Sequence, residues 1–327
     1  MCPITNTRRF VTAALLAIAA MSVDSPARHA AMASDEDTSS STRRLVAGQV
    51  TTLLDNIDGG AGGLSIDSQG NLYTADFGWR LDGRGKGGHQ IFRISPEGQS
   101  TRFFAELRGG SGNTFDALGN LYQSSIGGSF ITRITPEGKG TVFCNSGLKS
   151  PVGLTFNSKG DLFACNCGGN SICIINAEGK SELFCSSPLL KCPNGITVGP
   201  DGTIYVCNFS NGDVIRISTN GKAERLATIP GNNNGHLIYY QGALYVLART
   251  DCRVYRVMLT GETSVFAGSG QRGKRDGAPM TSEFSLPNSL VVSPDGKSMY
   301  VNETSPIAGD HRILGPTRIR RIELLTE

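Results

Sequence analysis

PNSLVVSPDGKSMYVNE, residues 287–303, consists of two short apolar runs on either side of an Asp-Gly turn. Alternating apolar positions bounded by turn residues read as a β-hairpin. One such hairpin is marginal in water, so whether it recurs decides the fold. GAGGLSIDSQGNLYTADF (60–77), SPVGLTFNSKGDLFACNC (150–167) and PNGITVGPDGTIYVCNF (193–209) repeat it. GGSGNTFDALGNLYQSS (109–125) and NNGHLIYYQGALYVLAR (233–249) are looser copies. The turn glycines, Gly70, Gly119, Gly160, Gly202, Gly242 and Gly296, recur at intervals of 40 to 54 residues. Repeats of that length, made of strands and glycine turns, predict a β-propeller with one four-stranded sheet per repeat.

The residues between these hairpins supply the outer strands. IFRISPEGQSTRFF (91–104), ITRITPEGKGTVF (131–143), ICIINAEGKSELF (172–184), VIRISTNGKAERL (214–226) and VYRVMLTGETSVF (254–266) are second hairpins. The sixth copy has only its third strand, TRIRRIELL at 317–325, and QVTTLLD at 49–55 resembles the outer strand GETSVFA at 261–267. The expectation is an all-β, six-bladed β-propeller with four-stranded blades over residues 48–327, its last blade closed by the N-terminal strand. Such closure leaves no unpaired sheet edge in the ring.

Residues 1–33 are different material. Arg8 and Arg9 precede the apolar run FVTAALLAIAAM, and AMA at 31–33 offers a small-residue cleavage site. The run is too short to span a bilayer and reads as a secretory signal peptide; TRRFVT matches a twin-arginine signal poorly. Residues 34–47, SDEDTSSSTRRLVA, read as a polar, flexible linker. The localisation expected is therefore export, to a periplasm or the exterior, with no membrane insertion after cleavage. The whole sequence carries 31 Lys and Arg against 28 Asp and Glu. Removing 1–33 takes away Arg8, Arg9, Arg28 and Asp24, leaving 28 against 27. That balance makes no case for nucleic acid or an anionic membrane as partner. Beyond Cys2, eight cysteines remain, an even number suited to an oxidising compartment. Local spacing suggests Cys167–Cys173 and Cys185–Cys192 as disulfides. The CNC triplet at 165–167 has no histidine beside it and makes a poor zinc site.

The hairpin turns within blades are uniformly short, so function is expected on the opposite face, where loops vary. The long ones are 77–90 in blade one, 304–316 in blade six and 268–286 between blades five and six. Blades one and six are ring neighbours, so their loops, with Trp79, His89 and His311, are expected to form a partial lid. Alignment on the turn glycines gives the residues that open the first strands: Gly62, Ser111, Val152, Asn194, Asn234 and Asn288. The residues closing the second strands are Asp76, Ser125, Asn166, Asn208, Ala248 and Glu303. Amide oxygens of Asn194, Asn234 and Asn288 with the Glu303 carboxylate are the ligands a hard cation such as Ca2+ takes. Asn166 and Asn208 sit slightly further out, as substrate contacts. The competing reading is that asparagines at strand starts only cap turns. His236 occupies a slot held elsewhere by Leu64, Leu154, Ile196 and Leu290, and is a candidate general base. A serine-hydrolase elbow, G-x-S-x-G between strand and helix, is not evident.

VTTLLD with GGLSIDSQGNLYTADF, PNGITVGPDGTIYVCNF, and residues 261–303 resemble NHL repeats. They also resemble the six-bladed propellers of the gluconolactonase, senescence-marker-protein and strictosidine-synthase-like superfamily. The resemblance covers 49–327 and speaks for the fold more than for any activity. It implies a channel calcium held by asparagines of NG-type strand starts, which Asn194, Asn288 and Asn234 match. The first-blade glutamate of that pattern is replaced by GGAGG, and Glu303 is the conjectured substitute. Three functions follow as expectations. One is a calcium-dependent hydrolase of lactones or related esters, with His236 as base. The second is a non-catalytic NHL-type propeller binding a small molecule in the central channel or a protein on the loop face. The third is a strictosidine-synthase-like lyase or synthase with Glu303 as channel acid/base.

Overall fold

The computed structural model describes residues 44–81, 86–304 and 312–327. The candidate signal peptide and most of the linker lie outside these residues, as does His311. Among the described residues the chain folds into six four-stranded antiparallel sheets, each running from an inner strand to an outer one. The inner strands, Ala61–Ile66, Gly110–Phe115, Pro151–Phe156, Pro193–Val198, Asn234–Tyr240 and Ser289–Val292, contact one another in sequence order. The last contacts the first, so the ring closes as a six-bladed β-propeller. The N-terminal strand, Leu45–Ile57, pairs antiparallel with Thr317–Thr326 and completes blade six. It starts earlier than expected, so Leu45, Val46 and Ala47 belong to the sheet rather than to the linker. No described helix is long and apolar enough to cross a membrane.

The repeat makes its turns by backbone conformation. Each turn glycine has φ between 70° and 87°, a region that costs residues with a Cβ. Asp67 accepts from the amides of Gln69 and Asn71, and Asp116 from those of Leu118 and Asn120. These Asx turns fix the hairpin register.

Adjacent blades are joined by aromatic side chains. Tyr73, on the second strand of blade one, meets Phe103 of its own outer strand edge-on at 4.9 Å. It also meets Phe115 of the next inner strand at 5.1 Å. Tyr122 repeats the arrangement with Phe143 and Phe156 one blade on. Edge-to-face pairs add about 0.5–1.5 kcal/mol each beyond area burial. The apolar core therefore lies between blades rather than in the channel.

The disulfide pairing differs from the one expected. Cys167, just after the second strand of blade three, is bonded to Cys192, in the connection into blade four. Cys173 and Cys185 are buried free thiols. Cys173 stands within a strand opposite Ala164, and its sulfur is the acceptor for the Asn166 amide. Local spacing missed this because the bond crosses between blades, joining residues 25 apart in sequence. Loss of such a cross-link costs about 3 kcal/mol in the chain-entropy picture. Non-reducing peptide mapping is expected to give one Cys167–Cys192 linked pair, and Cys192→Ser is expected to lower Tm by several degrees.

Candidate functional site

Apart from Ala248, the residues that close the second strands share one task, and it is structural. Asp76 accepts from the amides of Gly60, Gly78 and Gly88 at 2.9, 2.8 and 2.6 Å. Asn166 accepts from the Lys149 amide and Asn208 from the Lys191 amide, both at 3.1 Å. Their own amide groups donate to the carbonyls of Gly147 and Leu189. Glu303 accepts from the Ser285 amide at 2.7 Å. Each ties down the connection that enters its blade, which would otherwise leave buried amides without acceptors. Asn166 and Asn208, expected as substrate contacts, are engaged in this way and do not line the cavity at the channel mouth.

Glu303 is fully buried and faces arginines rather than the channel. Its carboxylate lies 3.1 Å from Arg320 and 3.5 Å from Arg318. Arg320 continues to Asp276 and Arg318 to Asp55. Burial pushes the Glu303 carboxyl up to about 7, against the pull of Arg320, the Ser285 amide and Arg318.

Pairing register separates the three asparagines. Leu237 pairs with Val246, nine residues on, whereas Ile196 pairs with Val206 and Leu154 with Ala164, each ten residues on. The first hairpin of blade five is one residue shorter, so alignment on its turn glycine slips by one. Asn234 pairs with Ala248 as Pro193 pairs with Asn208, and the channel slot falls to Gly235. Leu237, not His236, takes the slot of Ile196. His236 takes the place of Gly63, Gly112, Gly153 and Gly195. Asn234 is fully buried, with its amide nitrogen 3.5 Å from the Asp213 carbonyl and its Oδ1 unpartnered.

Asn194 and Asn288 do open onto one cavity of about 160 Å3 at the loop-face mouth of the channel. Each is fixed by the neighbouring blade: Asn194 Nδ2 donates to the carbonyls of Asn234 and Gly235, and Asn288 Nδ2 to that of Gly62. The cavity wall is built from the residues that follow the second strands: Phe77, Ile126, Cys167, Phe209 and Arg249. Their amides donate to the carbonyls of Gly60, Gly109, Ser150, Cys192 and Asn233, which places each at the same height in its blade. Leu81 and Leu314 roof the cavity. They come from the blade-one and blade-six loops, which meet through Leu81 N–Arg312 O and Leu314 N–Trp79 O hydrogen bonds. Trp79 holds the roof through its backbone and does not line the cavity. His89 Nδ1 lies 3.0 Å from the Leu107 carbonyl, away from it.

Arg249 is the feature that sequence reasoning missed. It is 3 % exposed, and among the described residues it is the one charged side chain lining the cavity. Its Nη1 donates to Asn288 Oδ1, its guanidinium lies 5.8 Å from the centre of the Phe209 ring, and its Nη2 has no partner. Burial, aided by Arg272, lowers it to about 10, so it stays charged at neutral pH. The signal was available: Arg249 follows Ala248 where the other repeats carry Phe77, Ile126, Cys167 and Phe209.

These donors do not fit calcium. Asn288 Oδ1 already accepts from a cation, the Glu303 carboxylate is held by two arginines, and Asn234 is turned into the blade packing. Among the described residues no three of His, Cys, Asp and Glu cluster closely enough to hold a metal.

No family model matches the chain, and no curated protein matches it. Solved structures do. Virginiamycin B lyase from Staphylococcus aureus is 18% identical, with 86% of this chain and 100% of that chain covered at a TM-score of 0.59. A gluconolactonase from Xanthomonas campestris is 15% identical over 84% and 89%, at 0.62. An auxiliary nutrient-binding protein from Bacteroides thetaiotaomicron is 14% identical over 86% and 77%, at 0.64. At these identities the likeness is one of fold.

His236 lines a second cavity of about 300 Å3, further along the first strands toward the hairpin turns, which shares no lining residue with the first. Burial, with Arg249 nearby, lowers its pKa from 6.5 to about 4. The folded protein thus holds His236 neutral where the unfolded chain would protonate it. Its contribution to stability is complete above pH 6.5 and is lost as pH falls toward 4, by up to about 3 kcal/mol. Denaturant midpoints measured from pH 7 to pH 4 are expected to fall less steeply in His236→Gln than in the parent protein.

Proposed function

We propose that the chain is an exported small-molecule-binding propeller whose loop-face cavity takes an organic anion on an apolar body. The observation that carries this is Arg249, a buried guanidinium with a free N–H at an otherwise apolar wall. A buried cation without a counter-ion is costly, and an incoming carboxylate or similar oxyanion relieves that cost with a charge-assisted hydrogen bond. Ala61, Phe77, Ile126, Val152, Phe209 and Leu314 suit the apolar remainder, and Ser111 and Asn194 add hydrogen-bonding groups. A cavity of this kind, mostly apolar with few convergent polar groups, is the usual form of a small-ligand site. The Cys167–Cys192 disulfide is compatible with an oxidising compartment, as export requires.

The fold itself leaves the activity open, since the compared propellers are a lyase, a gluconolactonase and a nutrient-binding protein. Calcium-dependent hydrolysis of a lactone or ester would draw on oxygen ligands that are here engaged by Arg249 and in the Glu303 ion pairs. A lyase using Glu303 as its acid/base needs that carboxyl at the cavity, where it is not. His236 stands outside the cavity and is held neutral. The binding reading therefore accounts for more of the geometry than either catalytic one.

Benzoate and phenylacetate are expected to raise Tm by several degrees at saturation, since ligand at a hundred times its Kd adds about 2.7 kcal/mol. Arg249→Met is expected to abolish that shift while folding normally. Absence of any shift with these acids, or calcium-dependent lactone hydrolysis that survives in Arg249→Met, would overturn the reading.

A further inference from the structure

The Arg249 site has a second, less obvious cation. Arg272 lies on the long connection into blade six, bridged in parallel to Phe284. Its Nε donates to Ser285 Oγ at 3.2 Å, and its Nη2 is buried without a partner. Arg249 is tied to Asn288, three residues further along the same segment. Two guanidiniums are thus anchored to residues 285–288, each with one unpartnered N–H. They are close enough that the charge of Arg272 disfavours that of Arg249.

Among the described residues no nearby acid is free to compensate them. Glu303 is taken by Arg320, Arg318 and the Ser285 amide. Asp251 holds Arg253 through both oxygens and also accepts from the Tyr255 hydroxyl. Glu283 holds Arg275. Asp276 holds Arg320 and the Thr52 hydroxyl and amide. Among the described residues the two arginines are therefore a positive pair without a protein counter-ion, and like charges held near one another repel.

A carboxylate neutralises one such charge. A phosphate monoester carries about −1.5 to −2 at neutral pH and presents three acceptor oxygens on one centre. With the second charge of Arg272 behind Arg249, a dianionic head is favoured over a monoanionic one. Arg272 does not itself line the cavity, so it acts as a positioning residue through its charge and its hold on Ser285, while Arg249 makes the contact. We propose that the Arg249–Arg272 pair selects a phosphomonoester on an apolar body over a monoanion of the same shape. This rests on the anion reading above and deepens it.

The test is calorimetric titration of the full chain with phenyl phosphate, benzoate and inorganic phosphate, using the parent protein, Arg249→Met, Arg272→Met and Arg272→Lys. The parent is expected to bind phenyl phosphate at least tenfold more tightly than benzoate. Arg272→Met is expected to weaken phenyl phosphate at least tenfold and benzoate less than threefold, and Arg272→Lys to retain the preference. Arg249→Met is expected to lose both ligands. Equal affinity of the parent for phenyl phosphate and benzoate overturns the proposal and leaves the anion reading standing. So does an equal loss of both ligands in Arg272→Met. Failure of the parent to bind any of the three anions overturns both. Should Arg272→Met not fold, the preference of the parent and its retention in Arg272→Lys decide the matter.

Discussion

The propeller depends on how closely its inner strands approach one another around the channel. A Cβ placed on Gly63 would lie 2.4 Å from the Ser111 carbonyl oxygen, and one on Gly112 would lie 2.4 Å from that of Val152. One on Gly153 would lie 2.2 Å from the Asn194 carbonyl oxygen. Backbone packed against backbone leaves no room for a side chain at these three positions. The residue before each glycine is then aimed at the channel mouth, and the segments that join blades must be held by specific hydrogen bonds. Asp76, Asn166, Asn208 and Glu303 supply those bonds from equivalent positions. The ring is built first by shape, and polar residues that look functional in a sequence are consumed in keeping that shape.

Blade five departs from the pattern at several neighbouring points. Its first hairpin is a residue short, Ala248 stands where the other blades carry a group that holds the incoming connection, and His236 stands where four blades carry glycine. Arg249 stands where four blades carry an apolar residue or cysteine. Each departure alone is a tolerable irregularity. Together they put a buried positive charge at the edge of an apolar cavity, beside Asn288 of the next blade. Sites in regular scaffolds are expected where local rules are broken, and here the breaks lie on one blade.

The blade count, the strand order, the closure by the N-terminal strand and the joined loops of blades one and six were all legible in the sequence. They follow from period, turn glycines and loop length, which are local quantities. The site was legible only in part. Asn194 and Asn288 both line the cavity: the extra residue of the blade-six hairpin, where Leu290 pairs with Val301 eleven residues on, falls after the turn glycine and leaves the first strand in line. Asn234 and His236 were displaced by a one-residue difference in hairpin length, which a glycine-anchored alignment cannot register. Glu303 and Asn208 were read as channel groups, because a sequence shows which residues are polar but not which amides they must satisfy. Arg249 ends the blade-five repeat, and its partners, Asn288 and Phe209, come from the blades on either side, which a local reading does not show. The Cys167–Cys192 bond was missed for the same reason, being a contact between blades.

The cavity chemistry therefore turns on a charge of one sign where the fold's resemblance had suggested the other. Calorimetric titration of the protein at pH 7 with calcium chloride, and separately with benzoate, tests this most directly. The account predicts saturable one-to-one binding of benzoate and no binding of calcium. Saturable calcium binding that disappears in Asn194→Ala, together with no heat from benzoate, would contradict it.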